Sequence, residues 1–256
     1  YEILIGLVGS EMCIRDSLGT GISSIPDYMF SSCSALTSVV LPENITGIGK
    51  YAFQSTAFTE LPLTASITEI KDYAFKSCSK LTSVAIPDRV TKLGTYVFQS
   101  CTGLESAKIG GGVTSVPNYM FHGCTNLVNV ELSEKVTSIG NSAFYNCKGL
   151  KSLPVTESIT SIGTNAFYGC TSLTSVNLSD KVTSLGASAF YGCSSLTEAV
   201  LGTGITTLGS SLFRNDAKLK KVVANGKIAS VSTYTFNGCS SLERIYINNT
   251  PPTGAS

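Results

Sequence analysis

Nine cysteines, a single histidine and a handful of clustered lysines are the residues of this 256-residue chain whose chemistry could reach beyond packing. Eight of the cysteines, Cys33, Cys78, Cys101, Cys124, Cys147, Cys170, Cys193 and Cys239, fall at one phase of a 23-residue spacing. An even set of thiols can signal disulfides. Equivalent positions in a stack of like units carry parallel Cβ vectors, however, and a disulfide needs a dihedral of about 90°. Zinc sites draw on ligands paired closely in sequence, which this spacing does not supply. The column reads as small buried thiols that pack as apolar side chains. His122 is the only histidine, so a Ser–His–Asp arrangement would have to use it; its place in the pattern reads as an exposed helix position. No G-x-S-x-G, H-E-x-x-H or P-loop sequence occurs. The glycines at 110–112 and 202–204 occupy one recurring turn and read as turn chemistry, not as a phosphate cradle. No catalytic, cofactor-binding or metal-binding residue is assigned, no cofactor is expected, and the chain is not expected to be an enzyme.

Two other sets could meet a partner. Residues 214–227 hold five basic side chains (Arg214, Lys218, Lys220, Lys221 and Lys227) against one acid, Asp216. Lys218, Lys220 and Lys221, with Arg244 and Tyr246 beyond them, are candidates to dock an acidic partner. Tyrosines recur at two phases: Tyr28, Tyr51, Tyr73, Tyr96, Tyr119 and Tyr234 two residues before a repeated phenylalanine, Tyr145, Tyr168 and Tyr191 one residue after it. They form either an amphipathic lid over the core or a recognition strip, since tyrosine is favoured at interfaces; Tyr145, Tyr168 and Tyr191 are the candidates named for the second role. Charged residues make up 14% of the chain and the formal net charge is +1, against a usual charged share of roughly 25%. That balance speaks against a nucleic-acid binder or an acidic tail. No apolar run approaches the ~20 residues needed to cross a bilayer.

These residues are placed by a repeat. The stretch "AFYGCTSLTSVNL" at 166–178 returns as "AFYGCSSLTEAVL" at 189–201. Its phenylalanine marks the copies: Phe30, Phe53, Phe75, Phe98, Phe121, Phe144, Phe167, Phe190, Phe213 and Phe236, spaced by 23 residues save one gap of 22. A fixed period of this length is the signature of a solenoid. Counting from the phenylalanine as zero, leucine stands at +6 and aliphatic residues at +9 and +11, as in Leu173, Val176 and Leu178. The +9/+11 alternation predicts a short strand with both side chains inward, +8 and +10 outward. Apolar residues at −5, −1, 0 and +3 fit one or two helical turns, ending on the glycine found at +2 in several copies. The reading is an α/β solenoid of about ten strand–turn–short-helix units. Its parallel sheet lies on the concave face, its crossovers are right-handed, and the apolar columns stack as ladders. The copy at Phe53 is a residue short, with Phe58 and Leu61 altering the spacing, and Asp216 stands where the ninth copy should carry cysteine.

The pattern L-x-x-V-x-L followed by I-x-x-I-x-x-x-A-F-x-x-C resembles the leucine-rich repeats of the BspA-like, treponemal-type surface proteins. The resemblance covers residues 18–256 and implies a secreted or cell-surface recognition protein. It would adhere to a protein ligand such as an extracellular matrix or host cell-surface protein, with no nucleic acid partner. The alternative is a cytoplasmic leucine-rich repeat scaffold or signalling-interaction protein, which an unpaired thiol column would suit. Residues 1–17 fit no repeat column and look like translated sequencing adapter, not native chain. "NNTPPTGAS" at 248–256 reads as a lead-in to a further copy. The solenoid at 18–256 is thus expected to be a single domain truncated at both ends, without the capping repeats that solenoids use.

Overall fold

The computed structural model of the protein describes residues 21–247. The adapter-like segment at 1–17, Cys13 within it, and the lead-in at 248–256 lie outside the described residues. Each copy is one turn of a parallel β-solenoid, about ten turns in all. The alternation at +8 to +11 becomes a strand whose inward pair is buried and outward pair open: Ser83–Ile86 alternates exposed and buried side chains. These strands pair in parallel with the expected shift, Val84 against Ala107 and Ala107 against Val130. A second, two-residue strand series runs through −6 and −5, as in Ser161–Ile162 between Ser138–Ile139 and Ser184–Leu185. The longer sheet is interrupted where proline enters it. Pro154 falls between Asn129–Leu132 and Ser175–Asn177, and Pro62 falls before Ser83–Ile86. Proline has no N–H to give to a ladder.

The short helix predicted around each phenylalanine does not form; the described residues contain no helix. The reason is local. In every copy the residues at −2 and +2 adopt a left-handed backbone, as with Tyr28 (φ 62°) and Ser32 (φ 64°), or Asn165 (φ 55°) and Gly169 (φ 69°). Three residues between two left-handed ones cannot propagate i→i−4 bonds. The amides at −2, 0 and +2 instead donate to the next turn: Ser142 N to Thr164 O at 2.9 Å, Phe144 N to Ala166 O at 2.8 Å and Asn146 N to Tyr168 O at 2.7 Å. Amides between them close tight turns within the copy, such as Tyr145 N to Ser142 O at 3.2 Å. The solenoid's third side is therefore a hydrogen-bonded stack of turns. Glycine at +2, read as a helix end, is one of several residues able to hold the second left-handed position.

The core is a single apolar file. All ten column phenylalanines stack on their neighbours at centroid distances of 5.2–5.9 Å and interplanar angles of 1–17°. Phe75, Phe144 and Phe190 are fully buried. The short copy keeps its core by turning Phe58 inward, tilted against Phe53 at 5.2 Å.

Candidate functional site

The turn side carries an aromatic row that follows from the same register. Tyr28, Tyr51, Tyr73, Tyr96 and Tyr119 occupy −2 and stack in sequence at 4.3–5.0 Å. Each holds a left-handed φ of 55–62°, a conformation bulky side chains seldom adopt. In the next three copies the tyrosine moves to +1, the ninth carries Arg214 there, and small residues, Ser142, Asn165, Ser188 and Ser211, take the left-handed position until Tyr234 returns to it in the tenth. Tyr145, Tyr168 and Tyr191 stack at 4.5 Å.

His122 joins the two halves. Its ring packs 4.6 Å from Tyr145, nearly parallel, and 5.9 Å from Tyr119, tilted by 49°. It is half-buried, not the exposed helix residue the sequence suggested, and burial lowers its pKa. At the far end Arg214 closes the row, its guanidinium 5.7 Å from the Tyr191 ring and 5.1 Å from the Tyr234 ring. Lys50 and Lys76 flank the Tyr73 ring at 5.9 and 5.5 Å. Burial, with the neighbouring hydroxyls of Tyr119 and Tyr73, pushes Tyr96 up to about 12; Tyr73 and Tyr168 are raised in the same way. These three hydroxyls therefore stay neutral further into alkaline solution than a free tyrosine. Its members spend their ring faces on one another and present their edges outward. His122 and Arg214 were missed as members, although both stand at +1, the phase of the later tyrosines.

The basic set is split between two sides. Arg214 lies in the aromatic row, whereas Lys221 and Arg244 are register partners on the outward face of the long strands, as are Val223 and Tyr246. Lys221 Nζ is 2.8 Å from Glu198 Oε1. Both side chains are about two-fifths exposed, so the pair is worth no more than about 1 kcal/mol. Lys218 and Lys220 are exposed. Tyr145, Tyr168 and Tyr191 thus stand on a different side from Lys221, Arg244 and Tyr246, and the candidates do not converge on one patch.

The cysteine column proves more than apolar filler. All eight are free thiols. From Cys78 onward each Sγ donates to the carbonyl of the preceding copy's phenylalanine, as in Cys147 to Phe121 O at 3.1 Å and Cys170 to Phe144 O at 3.2 Å. Burial pushes Cys124 up to about 12 and raises Cys147, Cys170 and Cys193 as well. A thiol so held carries almost no thiolate and is a poor nucleophile and a poor metal ligand.

Residues 16–128 and 114–243 match the family described as BspA type leucine rich repeat region, in six copies. No curated protein is matched by the chain. Among solved structures it is similar to a leucine-rich repeat protein from Bacteroides ovatus, at 30% identity and a TM-score of 0.80, over 86% of this chain and 57% of that one. It is also similar to a leucine rich cell surface protein from Faecalibacterium prausnitzii, at 28% identity and a TM-score of 0.51, over 88% and 76% of the two chains. A leucine-rich repeat protein from T. pallidum, at 24% identity and a TM-score of 0.52 over 86% and 82%, shares the fold. The chain spans little more than half, 57%, of the Bacteroides protein's length.

Proposed function

The chain belongs to the BspA-type leucine-rich repeat family, and from that premise we propose that it is a protein-recognition module of a secreted or cell-surface protein, adhering to host or matrix proteins through its solenoid surface. Leucine-rich repeat solenoids are typically non-catalytic binding scaffolds, and no enzymatic family is matched. The surface placement draws on the family and on the Faecalibacterium relative, a leucine rich cell surface protein. No helix among the described residues is long and apolar enough to cross a membrane.

The observation that carries the reading is the row of stacked rings from Tyr28 to Tyr191, continued to Tyr234 through Arg214, in which −2 holds tyrosine in a left-handed conformation in six copies. Strain of this kind, of order 1 kcal/mol for each residue, persists where something else selects for it, and tyrosine is among the residues that dominate protein interfaces. Tyr145, Tyr168 and Tyr191 form the proposed contact edge. Lys218, Lys220, Lys221, Arg244 and Tyr246 form a second contact on the strand side, for an acidic segment of the same partner. The thiol column would suit a reducing interior, but Cys101, Cys124, Cys147, Cys170 and Cys193 are fully buried with raised pKa values, which protects them in an oxidising exterior as well.

The test is retention of the purified chain on immobilised extracellular matrix proteins at physiological salt. Binding that falls at least tenfold in Tyr168→Ser, and separately in a Lys218→Glu, Lys220→Glu, Lys221→Glu variant, supports both contacts. Absence of retention for the parent chain overturns the adhesive reading, and unchanged affinity in either variant removes that contact.

A further inference from the structure

One place in the thiol column is held by a carboxyl group. Asp216 is fully buried (0% exposed), at the position where the Phe213 copy should carry cysteine. Neither of its oxygens meets a hydrogen-bond donor, and no ion pair among the described residues includes it. The groups that act on it are the thiols of Cys193 and Cys239, one turn to either side, and the backbone amides of Gly192 and Cys193. Those amides favour the charged form, but they lie outside hydrogen-bonding geometry and do not outweigh burial. An unpaired carboxylate in such a place is very costly.

The register supplies an acceptor. Cys193 donates its thiol to Phe167 O at 3.3 Å, and Cys239 donates to Phe213 O at 2.9 Å. The carbonyl between these two, that of Phe190, receives the amide of Cys193 at 3.2 Å and, among the described residues, no side-chain donor. By its place in the column Asp216 is the residue that should serve it. A carboxylate has no proton to give; a neutral carboxylic acid has one.

We infer that Asp216 is held in the folded chain as a neutral acid that takes over the thiol's task, its O–H given to the Phe190 carbonyl, and that loss of this proton to solvent base unseats the turns around Phe213 and Phe236. Burial pushes the group up to about 9, above its unfolded value of about 4. The folded chain keeps a proton there that the unfolded chain has released. Its contribution to stability is full below pH of about 4, declines as pH rises, and is gone above about 9, the folding constant falling by up to tenfold per pH unit between. The C-terminal turns are the ones to open, because they are already the least covered: Val231 is 47% and Ile245 43% exposed, where their column equivalents are buried or half-buried.

The experiment follows the full chain by urea denaturation from pH 5 to 9 beside Asp216→Cys and Asp216→Asn. The parent's folding constant is expected to fall by orders of magnitude over that range relative to Asp216→Cys, whose thiol stays neutral, with Asp216→Asn following the cysteine variant. Hydrogen exchange at pH 9 should accelerate in residues 211–247 of the parent more than in residues 70–170. Carbon-13 NMR of the aspartate carboxyls needs no variant and should place the Asp216 titration above pH 7. A carboxyl titrating near 4, or identical pH dependence in parent and Asp216→Cys, overturns the inference.

Discussion

At the scale of the residue, two columns set the energetics. Phe144 lies in the buried file between Phe121 and Phe167, at 5.4 and 5.2 Å from them. Truncation to alanine removes ring area from both neighbours and leaves a cavity that turns locked on either side cannot collapse. Phe144→Ala is expected to cost about 3–5 kcal/mol by urea denaturation; a cost below about 1 kcal/mol would contradict the packed file. The thiols give a chemical readout of the same packing. Cys124 and Cys147 are fully buried with raised pKa values. At pH 8 an aromatic disulfide reagent should leave them untouched in the native chain and label them only on unfolding. Prompt native labelling of Cys124 or Cys147 would contradict the column. The column's spacing was legible in the sequence, but its hydrogen bonds were not. A thiol's acceptor is the phenylalanine carbonyl of the turn before, about 26 residues upstream in most copies, and nothing in local sequence marks that contact.

At the scale of the element, the misread helix has the most direct test. Gly192 stands at +2 with φ +70°, and the nearest atom to an added Cβ is 4.0 Å away, so space does not limit substitution there. In a helix, Gly192→Ala would stabilise by up to about 1 kcal/mol. In the observed left-handed turn it is expected to destabilise by about 1–2 kcal/mol, while Gly192→Asn should cost less, because Asn146 and Asn215 hold the same position elsewhere. The sign of the alanine effect decides between the two structures. The apolar spacing −5, −1, 0, +3 could not have decided it, because tandem tight turns and a short helix bury the same residues. The aromatic row belongs to this scale too. Tyr168 stacks on Tyr145 and Tyr191, so Tyr168→Ser should lose about 1–3 kcal/mol from two stacked pairs, a loss the binding assay must be run well below the melting temperature to accommodate.

At the scale of the whole molecule, each turn contacts only the turns beside it, so stability is close to a sum over neighbouring interfaces and the end turns are the weakest. The last described turn shows this: Phe236, Cys239 and Leu242 are half-buried where their equivalents from the Phe75 copy to the Phe190 copy are fully covered, and Val231 and Ile245 face solvent. Among the described residues the strand Arg244–Ile247 is paired on one side only, with Lys221–Ala224, and apolar side chains lie beside it; an unpaired edge of this kind invites edge-to-edge association. Val231→Thr with Ile245→Lys is expected to lower concentration-dependent association in sedimentation while leaving the melting temperature of the central turns unchanged. Equal association in the parent and the variant would show that this edge is not responsible.

The period, the ten copies, the inward columns and the parallel pairing of like positions were all determined by the sequence alone, because a repeat that buries nothing by itself must stack on its neighbour, and like residues then meet like. Phe75 over Phe98 and Val84 beside Ala107 follow from that argument with no further information. Only the tertiary structure decided the backbone of the third side and the places of His122, between Tyr119 and Tyr145, and of Arg214, between Tyr191 and Tyr234, in the tyrosine row. Those outcomes depend on which amides turn toward the adjacent turn and which stay within their own. That is a competition between backbone conformations of similar local energy, won by the hydrogen bonds formed when the turns come together.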